Sequence, residues 1–129
     1  MHPEEKVTAL IVKLNKLSSL GQIKWEVRDA PRAILRGTDD YIPLFMSTSY
    51  KGQRFGLFEH RYQAYDGEHE RFYWTNRIVL AILDWEDRAL WETNSQTPAL
   101  FDLFETARKK VSNIDGLLDE LLDDEGDEV

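Results

Sequence analysis

Three histidines, His2, His60 and His69, are the first residues to weigh for chemistry. His69 stands in GEHE between Glu68 and Glu70, and an imidazole with two carboxylates supplies the donor types that hold zinc. Neighbours on one loop rarely converge on a single ion without a third element. His60 is that element if the strands flanking the loop pair, and a cleft near His60, His69 and Tyr62 would suit a small-molecule-binding protein or an enzyme. Other chemistry is thin. The chain has no cysteine, so it has no thiolate nucleophile, disulfide or sulfur ligand. Ser47 and Ser49 lack the strand-to-helix elbow that activates a serine. Gly52 and Gly56 are isolated and form no phosphate loop. Asp39 with Asp40, and Asp84 with Asp87, fall in turn-like segments where carboxylates bond the backbone. The residues therefore nominate no catalytic, cofactor-binding or metal-binding group.

Arginine and aromatic side chains interleave from 54 to 77: Arg54, Arg61, Arg71 and Arg77 among Phe55, Phe58, Tyr62, Phe72 and Tyr73. Exposed aromatics on a sheet stack on single-stranded RNA, and RFGLF at 54–58 is similar to part of the RNA-recognition motif. The glycine expected directly after the basic residue is absent, however, and so is a helix between the strand pairs. The charge also argues against direct nucleic-acid binding. Residues 1–114 hold all sixteen Lys and Arg and sixteen Asp and Glu, so they are neutral; residues 115–129 hold the other eight acids, which make the net −8. A neutral body gives no electrostatic footprint for phosphates. The acidic end is predicted to be a disordered tail over 123–129, which could dock on a basic, nucleic-acid-binding partner.

These residues must be positioned by elements that the pattern makes visible. In PEEKVTALIVKLNKLSSLG, Val7, Leu10, Ile11, Leu14 and Leu17 share one face at helical spacing. Pro3 and the acids suit the helix start, and Gly21 its stop. The segment 22–43 is open to reading as strand, helix or loop. LFMSTSY, QRFGLFEHRYQAY, RFYWTNRIVLAIL and RALWE then read as strands, with Lys51-Gly52 as a hairpin turn. Their short connections predict an antiparallel meander. After Thr97 as cap and Pro98 in the first turn, Leu100, Phe104, Ala107, Val111, Ile114, Leu118 and Leu121 form a seam of one long helix or two in line. Gly116 interrupts that seam and is the expected point of bending.

The sum is an α+β two-layer sandwich over 1–122: a meander of about four strands flanked by an N-terminal and a long C-terminal helix. LFDLFETARKKV at 100–111, YKGQRF at 50–55 and RIVLAILDWEDRALWE at 77–92 make the chain similar to a small family of uncharacterised bacterial proteins. The resemblance implies a bacterial, helix-flanked meander over about 20–122 and carries no residue role. The polar start MHPEEK, and the lack of any apolar run near ~20 residues, predict neither signal peptide nor membrane span and hence a cytoplasmic location.

Strand parity divides ERFYWTNR. Phe72 and Trp74 fall with Ile78, Leu80 and Ile82 and are expected in the core under the helices. Arg71, Tyr73 and Arg77 fall on the other face as a candidate interaction surface. That face turns apolar at Val79, Ala81 and Leu83, which predicts cover from the 22–43 segment or a partner. Trp85, in the turn DWED, and Leu117, Leu118, Leu121 and Leu122, at the end of the seam, complete the candidate surface. Trp and Tyr are favoured interface anchors. The expected function is therefore a non-enzymatic protein-interaction or regulatory protein, of the kind linked to toxin or defence systems, acting through a protein partner or by self-association.

Overall fold

The computed structural model describes residues 3–35, 40–93 and 95–123. The elements run α1 (Pro3–Ser19), β1 (Glu26–Arg28), α2 (Arg32–Leu35), β2 (Tyr41–Tyr50), β3 (Gln53–Asp66), β4 (Arg71–Leu83), β5 (Ala89–Glu92), α3 (Pro98–Ser112) and α4 (Ile114–Leu122). The strands form one five-stranded antiparallel sheet in chain order, β1-β2-β3-β4-β5. The α+β class and the meander are as the sequence predicts. The fifth strand comes from 22–43, which supplies both β1 and the short α2.

Local signals fix most element ends. Gly21, at φ 71°, ends α1; the Gln22 N–H then reaches back to the Leu17 carbonyl at 2.9 Å, which satisfies an orphaned end group. Lys51 and Gly52 both adopt positive φ, the geometry of a tight hairpin turn matched to strand twist. Thr97 Oγ1 accepts from the Leu100 N–H, with Pro98 in the first turn of α3. Pro43 lies inside β2, where the register shifts between Tyr41 and Leu44; the irregularity accommodates a residue that cannot donate to the ladder.

The C-terminal seam breaks at Asn113, three residues before Gly116. Asn113 takes a left-handed conformation, φ 47° and ψ 47°, and so separates α3 from α4. Its amide side chain makes that region more accessible to Asn than to most residues. Gly116 lies within α4, with Asn113 side-chain atoms packed where its Cβ would be. Asn113→Gly is expected to raise stability by up to about 1 kcal/mol by relieving left-handed strain; chemical denaturation would measure it.

The sheet is covered on both faces. On one face, α1 and α3 bury Trp25, Met46, Phe55, Leu57, Ile78 and Leu80 against Ile11, Leu14, Leu100, Leu103, Phe104 and Ala107. Trp25 Nε1–H donates to Ser18 Oγ at 2.9 Å, and Ser18 Oγ–H to the Leu14 carbonyl at 2.7 Å. That relay ties α1 to the approach to β1 with every buried polar atom of the pair engaged. On the other face Phe45, Phe58, Val79, Ala81 and Leu83 form a second cluster, against which Ala30, Ile34 and Ile42 pack. The apolar second face of β4 is thus covered by the 22–43 segment. Gly56 serves the same cluster, because a Cβ there would stand 2.9 Å from Phe45 Cζ.

Among the described residues, neither layer reaches the far end of the β3–β4 hairpin. The core ends at the level of Glu59 and Ile78. There the Gln96 side-chain amide bonds both the N–H and the carbonyl of Ile78, each at 2.8 Å. It stands in for a strand neighbour just before Thr97 starts α3. Residues 60–66 and 71–77 therefore project as an arm of about 23 Å beyond the core.

Candidate functional site

The arm and the adjoining start of β2 carry four exposed aromatics, Tyr41, Tyr65, Phe72 and Trp74. Strand register confirms the parity reading: Tyr65 faces Phe72, Gln63 faces Trp74 and Arg61 faces Asn76 on the side of the helices. The expectation that Phe72 and Trp74 are core is corrected. Phe72 is 67% exposed and Trp74 52%, because α3 starts at the level of Ile78 and no described residue above it covers this face. The side chains are nonetheless ordered among themselves. Tyr65 packs on Phe72 with centroids 5.2 Å apart, and Tyr41 meets Trp74 edge-on at 5.7 Å. A polar chain supports them: Arg61 donates to Tyr41 Oη at 2.9 Å and to Glu59 at 3.2 Å, and Asn76 donates to Glu59 at 2.8 Å. Four aromatics exposed by about half present on the order of 400 Å² of apolar-rich surface, the size of a patch that is often functional. Among the described residues, the outer edge of β4 above Ala81 also has no strand neighbour, since β5 pairs only with 81–83.

The opposite face of the arm holds Arg71, Tyr73 and Arg77, opposite Asp66, Ala64 and His60. Arg71 and Tyr73 are exposed, but Arg77 is half-buried. Arg77 Nε approaches His60 Nδ1 at 3.4 Å, its guanidinium lies 3.8 Å from Glu92, and it stacks over Tyr62. It therefore belongs to a polar cluster at the arm's root and not to a free surface with Tyr73. His60 Nε2 in turn meets Asp40 Oδ2 at 3.0 Å. A guanidinium can only donate, so Nδ1 accepts and the proton sits on Nε2 facing the carboxylate. Both ring nitrogens are then occupied. The adjoining cavity, lined by Ile34, Leu35, Phe58 and these polar groups, measures about 220 Å³, below the usual ligand-pocket range of roughly 300–1,000 Å³.

His69 is elsewhere. It sits in the β3–β4 turn, bonded at 2.7 Å to Oδ2 of Asp66, which is itself six residues or about 20 Å of strand from His60. The cleft that the sequence suggested between the two histidines does not form.

Trp85 is the most exposed large hydrophobic side chain among the described residues, at 87%, on a turn braced from several sides. Asp84 accepts from the Glu86 and Arg88 N–H groups, each at 2.9 Å, and from Arg88 Nε at 2.7 Å. These bonds, those to the Arg88 backbone first, hold the Asp84 carboxyl below its ordinary range. Asp87, at φ 62°, bridges Arg28 at 2.8 Å and Arg54 at 2.6 Å. The hydrogen bond from Arg28, then the charges of both arginines, hold its carboxyl low against the opposing effect of burial. Sequence reasoning missed this clasp, whose partners are far apart in the chain.

Asp87→Asn tests the clasp, since Asn tolerates the left-handed backbone. It is expected to cost about 1–2 kcal/mol at neutral pH, discounted for partial exposure. A carboxyl whose folded-state pKa is depressed contributes stability above its unfolded value. The difference between wild type and variant should therefore hold above pH ~4 and vanish as pH falls through the depressed value. Urea midpoints across this range measure it.

No protein-family model, curated protein or solved structure matches the chain. None of these comparisons supports the resemblance to a bacterial family that the sequence suggests. Among the described residues no helix is long and apolar enough to cross a membrane. The tail expected over 123–129 lies, from 124 onward, outside the described residues.

The sequence-nominated surfaces do not converge. Tyr73 and Trp85 lie toward opposite ends of β4, more than about 30 Å apart along the strand. Leu117, Leu118, Leu121 and Leu122 are all exposed on α4, which starts beside Ser19 at the end of α1.

Proposed function

We propose that this chain is a non-enzymatic interaction protein that grips a protein partner with the aromatic face of its β3–β4 arm. The observation that carries this reading is the exposed, mutually packed set Tyr65, Phe72 and Trp74 on a strand pair that outruns its own helices, joined at the root by Tyr41 from the start of β2. Large rigid aromatics lose little conformational freedom on binding and dominate interface energetics. The open outer edge of β4 beside them offers backbone groups that an extended segment of the partner can pair with. Neutrality of residues 1–114 favours a protein over a nucleic acid as occupant.

A photo-crosslinking residue in place of Gln63, between the aromatics, tests this in host cells. The expected result is a discrete protein adduct that disappears when Trp74 is changed to alanine. Adducts to nucleic acid alone, or none above those of a probe at an α3 position, would overturn the reading.

A further inference from the structure

We infer that α4 of one copy of this chain docks in a groove along α1 of a second copy, and that the second copy returns the contact. Two open surfaces carry this. On the solvent side of α1, the exposed Val12 and Leu20 and the half-buried Leu17 line a shallow, mainly apolar groove with Lys13 and Lys16 beside it. On α4, Leu121 and Leu122 are 70% and 77% exposed, Leu117 and Leu118 nearly half. The same helix carries Asp115, Asp119 and Glu120 and no basic residue.

The surfaces match in chemistry and in length. Leucines meet an apolar floor, and carboxylates meet lysines. The groove from Ala9 to Leu20 runs about 17 Å, and the nine residues of α4 about 14 Å. Laying an amphipathic helix into such a groove is a common mode of recognition.

A second copy is favoured because the described residues of a single chain leave both halves open, although α4 starts beside the end of α1. The left-handed Asn113 turns α4 away from the line of α3. One chain thus holds both halves of an interface side by side, and a two-fold axis closes such a pair: each copy gives a helix and receives one. The surface is separate from the arm, so either can fail without the other.

The test is the mass of the full chain in solution, by light scattering and sedimentation over a range of protein concentrations. Wild type should reach twice 15.1 kDa. Leu121→Ser with Leu122→Ser should be monomeric. Lys13→Glu with Lys16→Glu, and separately Asp119→Lys with Glu120→Lys, should each self-associate about tenfold or more weakly. Mixing these two charge-reversed proteins should restore the dimer, because each groove then meets a helix of opposite sign. Unfolding midpoints confirm that each variant folds, which is needed because Lys13 also lies over the Tyr50 ring. A wild type that stays monomeric, a dimer indifferent to the leucine changes, or a mixture that stays monomeric would each overturn the inference. So would a monomer in which the leucine changes deprotect α1 amides, since α4 would then fold back on its own chain.

Discussion

Replacing Phe72 and Trp74 together by alanine is expected to abolish partner capture while leaving the folded state nearly as stable as before. Both side chains stand beyond the level of Ile78, where the helices end. Their truncation removes ring contacts with Tyr65 and Tyr41, and because each side chain is at least half exposed it opens no enclosed cavity. Exposed substitutions of this kind shift stability by about 0.5 kcal/mol or less each. Aromatic anchors at an interface cost about 2 kcal/mol or more apiece when truncated, a factor of roughly thirty in affinity. Urea denaturation and crosslinking through position 63 measure the two quantities on the same protein. A large fall in stability would mean that the arm is core after all, and unchanged crosslinking would mean that its aromatics bind nothing.

Phe58→Ala is expected to have the opposite signature. Phe58 is 1% exposed and stacks on Phe45 at a centroid distance of 5.4 Å, with Val79, Ala81 and Leu83 around it. Truncating a buried phenylalanine costs about 3–5 kcal/mol, part lost transfer free energy and part unfilled cavity. That is a large share of the roughly 5–15 kcal/mol that holds a domain together. The position is informative because this face of the sheet has only a short cover from 22–43. A loss near 1 kcal/mol would show that the cover is loose and that the face is a surface. A loss in the full range would establish two working cores on one sheet. Denaturant midpoints with unchanged slopes are the measurement.

The contrast between these two phenylalanines shows what was legible. Both sit in long aromatic-rich strands, and alternation assigns each correctly to a face. It assigned Phe72 and Trp74 to the right face and the wrong environment. Parity states which way a side chain points; it does not state whether anything is there to meet it. The same gap affected Arg77, whose face was right but whose partners His60 and Glu92 come from neighbouring strands.

What the sequence determined by itself is what short-range physics decides. It includes the ends of α1 at Gly21 and of α3 at Thr97, the Lys51–Gly52 turn, the meander order, the exposure of Trp85 in its turn and the acidic end of the chain. Each depends on residues within a few positions of one another, through caps, turn geometry or short connections. The tertiary structure alone decided where the helices stop relative to the hairpin, and so which aromatics are left in water. It also decided that His60 and His69 lie apart, that Asp87 is clasped by Arg28 and Arg54, and that the seam breaks at Asn113 and not at Gly116. These outcomes rest on contacts between residues distant in sequence, or on a choice between nearby backbone states that packing settles, and no local pattern encodes them.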